Sequence, residues 1–110
     1  MTYEIKEESG CAVVILTGEI DLYKSPVARL KILSCLERGK PVLVDLSAVE
    51  YIDSSGIASL VEGYQLSRKK NLAFGLVGVS TPAMNVLQLA RLDKVFPIFD
   101  SIEDFSKPAD

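Results

Sequence analysis

Two continuous apolar runs constrain the fold of this chain most strongly. PVLVDL at residues 41–46 and LAFGLVGV at residues 72–79 are apolar at nearly every position. Strands with one solvent-exposed face alternate apolar and polar residues, whereas strands covered on both faces are apolar throughout. The two runs therefore predict central strands of a sheet that carries structure on both of its faces.

Segments with a helical period of apolar residues alternate with these runs. Ser25 and Pro26 suit the cap and first position of a first helix, whose stripe is Val27, Leu30, Leu33 and Leu36, with Ala28 and Ile32 beside it. A second helix is predicted from Ile57, a third within STPAMNVLQLARL, and a short last one after Ser101. Further strands are predicted over residues 3–6, 11–17 and 95–99. The predicted order is ββαβαβαβα, a single α/β domain over residues 1–110 with a mixed sheet of four to five strands and about four helices.

Composition excludes several classes of function. The 110 residues carry a net charge of -3 with acids and bases interspersed, so direct nucleic-acid binding is not expected. There is no histidine, which excludes Ser-His-Asp and Cys-His hydrolases. Cys11 and Cys35 stand alone in apolar segments and are predicted to be reduced core thiols rather than a metal site. No cofactor or metal is expected.

The chain shows no apolar run of the roughly 20 residues that cross a bilayer. Its first residues, MTYEIKEESG, do not resemble a signal peptide. A cytoplasmic protein without membrane insertion is therefore expected.

YIDSSG, residues 51–56, is the most unusual local sequence. Asp53, Ser54 and Ser55 are all residues that cap helices, although a helix start needs only one cap. Gly56 follows within the first helical turn, where glycine costs about 1 kcal/mol relative to alanine. One interpretation is plain capping; the other is a stretch exposed for contact, in which the missing side chain lets another surface approach the backbone.

Three segments together resemble the STAS domain, and within it the bacterial anti-sigma factor antagonists. They are LTGEIDLY at residues 16–23, VLVDLSAVEYIDSSG at residues 42–56 and LARLDKVFPIFDS near the end, and the resemblance covers essentially the whole chain. It implies that the domain binds an anti-sigma factor that is also an ATP-dependent serine kinase, and thereby releases a sigma factor. Phosphorylation then ends this binding, and a phosphoserine phosphatase would reverse it.

The resemblance also implies roles for individual residues. Ser54 matches the phosphorylated serine, Ser55 is the neighbouring hydroxyl, and Asp53 orients the loop. Asp21 matches the acid of the family's GE(I/L)D segment and is expected near the phosphoacceptor, although it would equally serve to cap its own loop. The partner is expected to meet Gly56 and an exposed face of the second helix. That face is predicted around Ser59, Glu62 and Gly63.

Two other functions compete with this interpretation. The sequence IAS follows Gly56, where many antagonists have Leu-Gly and a β-branched residue. This departure leaves a second function open, that of a STAS subunit which binds the ATPase or permease of a lipid ABC transporter without phosphorylation. An enzyme acting through Asp53 and Ser54 is disfavoured because no base or metal is evident. The chain is therefore interpreted as a binding protein rather than an enzyme.

Overall fold

The computed structural model describes residues 3–106 and contains five strands and four helices within that range. The elements are β1 (Glu4–Glu8), β2 (Cys11–Ile20), α1 (Ser25–Glu37), β3 (Val42–Ile52), α2 (Ser54–Lys69), β4 (Phe74–Val77), α3 (Thr81–Leu89), β5 (Ile98–Phe99) and α4 (Ile102–Ser106). The order ββαβαβαβα and the α/β fold class predicted from the sequence are confirmed.

The sheet has the order β1-β2-β3-β4-β5, so each strand pairs with its neighbour in sequence. β1 and β2 form an antiparallel hairpin, and β2 to β5 run parallel. Parallel neighbours require crossovers, which are the helices α1, α2 and α3. As a consequence, the carboxyl ends of β2, β3 and β4 lie along one edge of the sheet.

The two faces of the sheet are covered unequally. α1, α2 and α3 pack on one face through buried residues that include Ile32, Leu60 and Leu87. The other face holds a smaller cluster of Cys11, Val13, Leu43 and Val77, with Ile102 and Phe105 of α4 packed against it. Val42, Leu43 and Val44 are fully buried, as the continuous apolar run predicted.

β3 is much longer than the six residues that the apolar run indicated, since it extends to Ile52. Its second half contains exposed residues such as Ser47 and Glu50, which hide the strand in the sequence. The pairing with β2 also shifts register twice there, between Ile15 and Thr17 and between Gly18 and Glu19. Irregular pairing breaks the simple alternation on which sequence patterns depend.

The start and stripe of α1 differ from the prediction. Ser25 is not the cap but the first helical residue. It is buried, and its backbone carbonyl oxygen accepts from the Ser59 hydroxyl of α2. Leu30, assigned to the buried stripe, is 62% exposed, while Cys35 takes a place in the core. The stripe is therefore rotated by about one residue toward Ala28, Ile32 and Cys35.

Both cysteines are buried free thiols, as predicted. Burial raises the pKa of the Cys11 thiol, and the nearby Glu8 carboxylate raises it further. Within residues 3–106, no helix is both long and apolar enough to cross a membrane.

Candidate functional site

The carboxyl ends of β2 and β3 bring two acidic residues to the same edge of the sheet. Ile20 pairs with Ile52, so Asp21 and Asp53 are the next residues on two adjacent parallel strands. The Asp53 amide donates to the Ile20 carbonyl oxygen at 3.3 Å, which joins the two strand ends. This edge of an open α/β sheet is where ligands and partners commonly bind.

Asp53 is the cap of α2. Its Oδ1 atom accepts from the backbone amides of Ser55 at 2.9 Å and Gly56 at 3.2 Å. The helix begins at Ser54, three residues before the apolar period that predicted it from Ile57. Asp53 Oδ1 thereby accepts from two amides that a helix start otherwise leaves without partners.

The two serines of the motif are in different states. The Ser55 hydroxyl donates to Asp53 Oδ1 at 2.5 Å, so its proton is engaged. The Ser54 side chain is exposed and makes no hydrogen bond to any residue within 3–106. One hydroxyl of the pair thus supports the cap, and the other remains available for chemistry.

The Ser55 hydroxyl and the two amides also stabilise the charged form of Asp53. The hydrogen bond from the Ser55 hydroxyl lowers the pKa of this carboxyl most, and the hydrogen bonds from the Gly56 and Ser55 amides lower it further. Partial desolvation acts in the opposite direction without reversing the shift. Asp53 is therefore a carboxylate near neutral pH, and the site carries its negative charge there.

Asp21 organises its own loop. Its Oδ1 atom accepts from the amides of Tyr23 and Lys24, both at 3.0 Å. The local capping role that the sequence left open is therefore observed. The recognition of a kinase by Asp21 stays a prediction.

Gly56 faces the interior and not a foreign surface, so its expected exposure is wrong. A Cβ atom at this position would lie 2.6 Å from Ile52 Cγ1 and 3.0 Å from both Ile20 Cγ2 and the Ile20 carbonyl oxygen. The missing side chain lets the first turn of α2 sit directly on the ends of β2 and β3. Gly56 thereby fixes the position of Ser54 relative to the sheet edge.

The face expected to be exposed around Ser59, Glu62 and Gly63 is exposed only at Glu62. Ser59 is 5% exposed, and its hydroxyl donates to the carbonyl oxygens of Ser25 and Ser55, both at 3.2 Å. A Cβ atom on Gly63 would lie 2.6 Å from Ile32 Cγ2. Ser59 and Gly63 are small because α1 packs closely on this side of α2, and the sequence alone does not show this contact.

Leu22 and Tyr23 were not singled out from the sequence, yet they stand exposed at the same edge. Their exposed fractions are 66% and 86%, which are large for apolar side chains that follow a strand end. A signal did exist, because both residues lie outside the strand pattern and before the helical stripe of α1. Together with Asp21, they form an apolar and acidic rim after the end of β2, which is the strand paired with the end of β3 that leads to Ser54.

Among the described residues, no cluster of three or more histidine, cysteine, aspartate or glutamate side chains has a geometry that could hold a metal ion. What the arrangement does present is the exposed Ser54 hydroxyl at the start of α2, directly after the Asp53 carboxylate in sequence.

Comparison with known proteins agrees with this architecture. A profile described as STAS domain matches residues 2–105, and the chain therefore belongs to the STAS domain family. The anti-sigma-F factor antagonist RsfB of Mycobacterium tuberculosis is 31% identical over 107 aligned residues, and the alignment covers 94% of this chain and 85% of that protein.

Solved structures show the same fold. An anti-sigma factor antagonist from Mycobacterium paratuberculosis has a TM-score of 0.81 and 29% identity, covering 94% of this chain and 89% of that one. The Bacillus cell fate determinant SpoIIAA in the phosphorylated form has a TM-score of 0.73 and 19% identity, covering 94% of both chains. The family predicted from the three sequence segments is thus confirmed.

Proposed function

We propose that this protein is an anti-sigma factor antagonist that is switched by phosphorylation of Ser54. In its unphosphorylated form it binds an anti-sigma factor with serine kinase activity, and the sigma factor is released. The domain itself acts as a binding protein and as the substrate of the kinase. Similarity to antagonists such as RsfB supports the antagonist class.

The observation that carries the choice of residue is the contrast between the two serines. The Ser54 hydroxyl is exposed and unbonded within the described residues, whereas the Ser55 hydroxyl donates to Asp53. A kinase transfers the γ-phosphoryl group of ATP to an oxygen that it can reach in line, with ADP as leaving group and loss of the hydroxyl proton. Ser54 meets this requirement without breaking the cap of α2.

The same geometry explains how a phosphate would act. A phosphoserine carries about -1.5 to -2 charges near neutral pH. The amides of Ser55 and Gly56 already donate to Asp53, so a phosphate on Ser54 would not find them free. It would instead project from the edge and add its charge to that of Asp53, where a docked partner would have to desolvate it.

The partner is proposed to cover the rim around Ser54. Leu22 and Tyr23 supply exposed apolar area, and aromatic side chains are common anchors of protein interfaces. Asp21 fixes the loop that presents them through its two amide contacts. Apolar anchor residues and a hydroxyl that can be phosphorylated on the same surface suit an interface that a single phosphorylation dissociates.

Phosphotransfer tests the assignment directly. The chain is incubated with ATP and the serine-kinase anti-sigma factor of the same genome, and the product is examined by intact mass and peptide mass spectrometry. One phosphate on Ser54 is expected, with Ser54→Ala unmodified. Ser55→Ala is the matched control and should still accept phosphate, although more slowly if the start of α2 is loosened.

Phosphate located on Ser55, or no phosphate on the wild-type chain, would contradict the proposal. Binding of a transporter ATPase that is unchanged by Ser54→Ala and Ser54→Asp would favour the transporter alternative instead. A phosphoserine phosphatase that restores binding would complete the proposed cycle.

A further inference from the structure

A cleft of about 240 Å³ lies between the β1–β2 hairpin and the start of α1. Its lining residues are Tyr3, Thr17, Tyr23, Lys24 and Val27. The two tyrosine rings and Val27 give it an apolar wall, while Thr17 and Lys24 add polar groups. Small-molecule sites commonly combine an apolar lining with a few placed polar groups, and most are somewhat larger than this cleft.

The Tyr3 hydroxyl is the unusual group of this cleft. It is shielded from solvent and has no hydrogen-bond partner among the described residues. Other buried side-chain polar atoms in residues 3–106 do have partners, as is usual in folded proteins. A shielded hydroxyl beside a cleft is therefore a group that a ligand could satisfy.

The charges around the cleft define what such a ligand must offer. Burial raises the pKa of Tyr3, and the negative charge of Asp21 raises it further, so the hydroxyl stays protonated and can donate. Lys24 is exposed, and its ammonium group forms no ion pair within the part of the chain that the structure describes. An ammonium group has three donors and no acceptor. Both groups can thus donate to an oxygen acceptor. The Lys24 ammonium favours an acceptor with negative charge and would have to outweigh the repulsion from the Asp21 carboxylate.

We propose that this cleft binds a small amphipathic carboxylate, with its carboxylate between Tyr3 and Lys24 and its apolar body against Tyr23 and Val27. The Tyr3 hydroxyl is shielded, so binding requires a neighbouring side chain to shift, and Tyr23, which is 86% exposed, is a lining residue with little packing to lose. The volume limits the ligand to an aromatic or short aliphatic acid. This inference does not depend on the proposed function.

The cleft shares a segment with the candidate functional site. The amides of Tyr23 and Lys24 donate to Asp21, which directly follows the end of β2. A bound carboxylate would hold the side chains of both residues and place its charge near Asp21. Occupancy is therefore expected to alter the same loop that carries Leu22.

Titration of the full chain with phenylacetate and with hexanoate, followed by ¹H–¹⁵N NMR, tests the proposal. Saturable shifts are expected at the amides of Thr17, Tyr23, Lys24 and Val27, with a Kd of about 1 mM or lower for a ligand of this size. Phenylacetamide, which has the same shape without the charge, should bind at least tenfold more weakly. No saturable shift up to about tenfold above that Kd, or equal binding of the amide, would overturn the proposal.

Two variants locate the binding. Tyr3→Phe and Lys24→Met are each expected to raise the Kd at least fivefold. The matched controls Tyr51→Phe and Lys69→Met change an exposed tyrosine and an exposed lysine elsewhere and should leave it unchanged. If all four variants bind alike, the assigned site is wrong. Because no kinase or anti-sigma factor takes part, failure here would leave the phosphotransfer experiment unaffected.

Discussion

At the scale of single residues, the motif depends on one oxygen atom of Asp53. Oδ1 accepts from the Ser55 amide, the Ser55 hydroxyl and the Gly56 amide. The sequence predicted that a residue of this trio would cap the helix but could not say which one. That choice depends on where β3 ends, and the end of β3 was not visible in the sequence. The hydrogen bond between Ser55 and Asp53 likewise needed the three-dimensional geometry.

The charge of Asp53 leads to a prediction about pH. Its folded pKa is lowered, so the folded state binds this proton more weakly than the unfolded state does. The stabilisation is therefore fully present above the unfolded value of about 3.9 and is lost as the pH falls through the lower, folded pKa. Asp53→Ala should lower the urea midpoint at pH 7, and the gap to wild type should shrink from about pH 4 downward. A gap that is unchanged at pH 3 would contradict the cap assignment.

The Tyr3 hydroxyl leads to a second prediction at this scale. An unsatisfied buried polar group costs about 1–3 kcal/mol, so removing it without changing the ring should not weaken the fold. Tyr3→Phe is expected to raise the free energy of unfolding by up to about 1 kcal/mol in urea denaturation. Tyr51→Phe, at a 50% exposed position, should change it by less than about 0.5 kcal/mol. A clear loss of stability in Tyr3→Phe would show that the hydroxyl does have a partner in solution.

At the scale of elements, the sequence predicted which elements exist and their order better than it predicted which face of each helix is buried. Continuous burial of Val42, Leu43 and Val44 follows directly from an apolar run, because every side chain on such a strand meets a covered face. Which face of α1 is buried depends on how α2 packs against it, and the same holds for α2. Glycine and serine at the contact do not add to an apolar stripe, so the closeness of the two helices was invisible.

Gly63 tests this account of the contact between α1 and α2. A Cβ atom there would press on Ile32 Cγ2, which belongs to a fully buried side chain, and would also lie 3.1 Å from Phe74 Cε2. Overpacking typically costs about 1–3 kcal/mol, which exceeds the gain of about 1 kcal/mol in helix propensity. Gly63→Ala should therefore lower the free energy of unfolding by up to about 2 kcal/mol, which is the overpacking cost less the propensity gain. Ala58→Gly, an exposed position in the same helix, measures the propensity term alone. A more stable Gly63→Ala variant would mean that the helices have room to separate.

At the scale of the whole molecule, the residues that hold the start of α2 are different from Ser54, the proposed phosphorylation site. Ser54 is exposed and takes no part in the cap, while Asp53, Ser55 and Gly56 hold the start of α2 in place. A new charge on Ser54 should thus leave the domain folded.

This separation predicts similar stability for the unphosphorylated domain and the domain phosphorylated on Ser54. Ser54→Asp and the chain phosphorylated on Ser54 should each unfold within about 1 kcal/mol of wild type, as expected for a change at an exposed position. Thermal and urea unfolding of the same samples measure the difference. A loss of several kcal/mol would mean that phosphorylation acts by unfolding α2 rather than by blocking a surface.

The affinity of the serine-kinase anti-sigma factor for the two states tests the central claim most directly. Isothermal titration calorimetry would compare the wild-type chain with the chain phosphorylated on Ser54, using Ser54→Ala as the uncharged control. Each tenfold loss of affinity corresponds to about 1.4 kcal/mol, and a desolvated phosphate should produce a loss of at least a hundredfold. Wild type and Ser54→Ala should bind alike. Equal affinity of the phosphorylated and unphosphorylated chains would contradict the account.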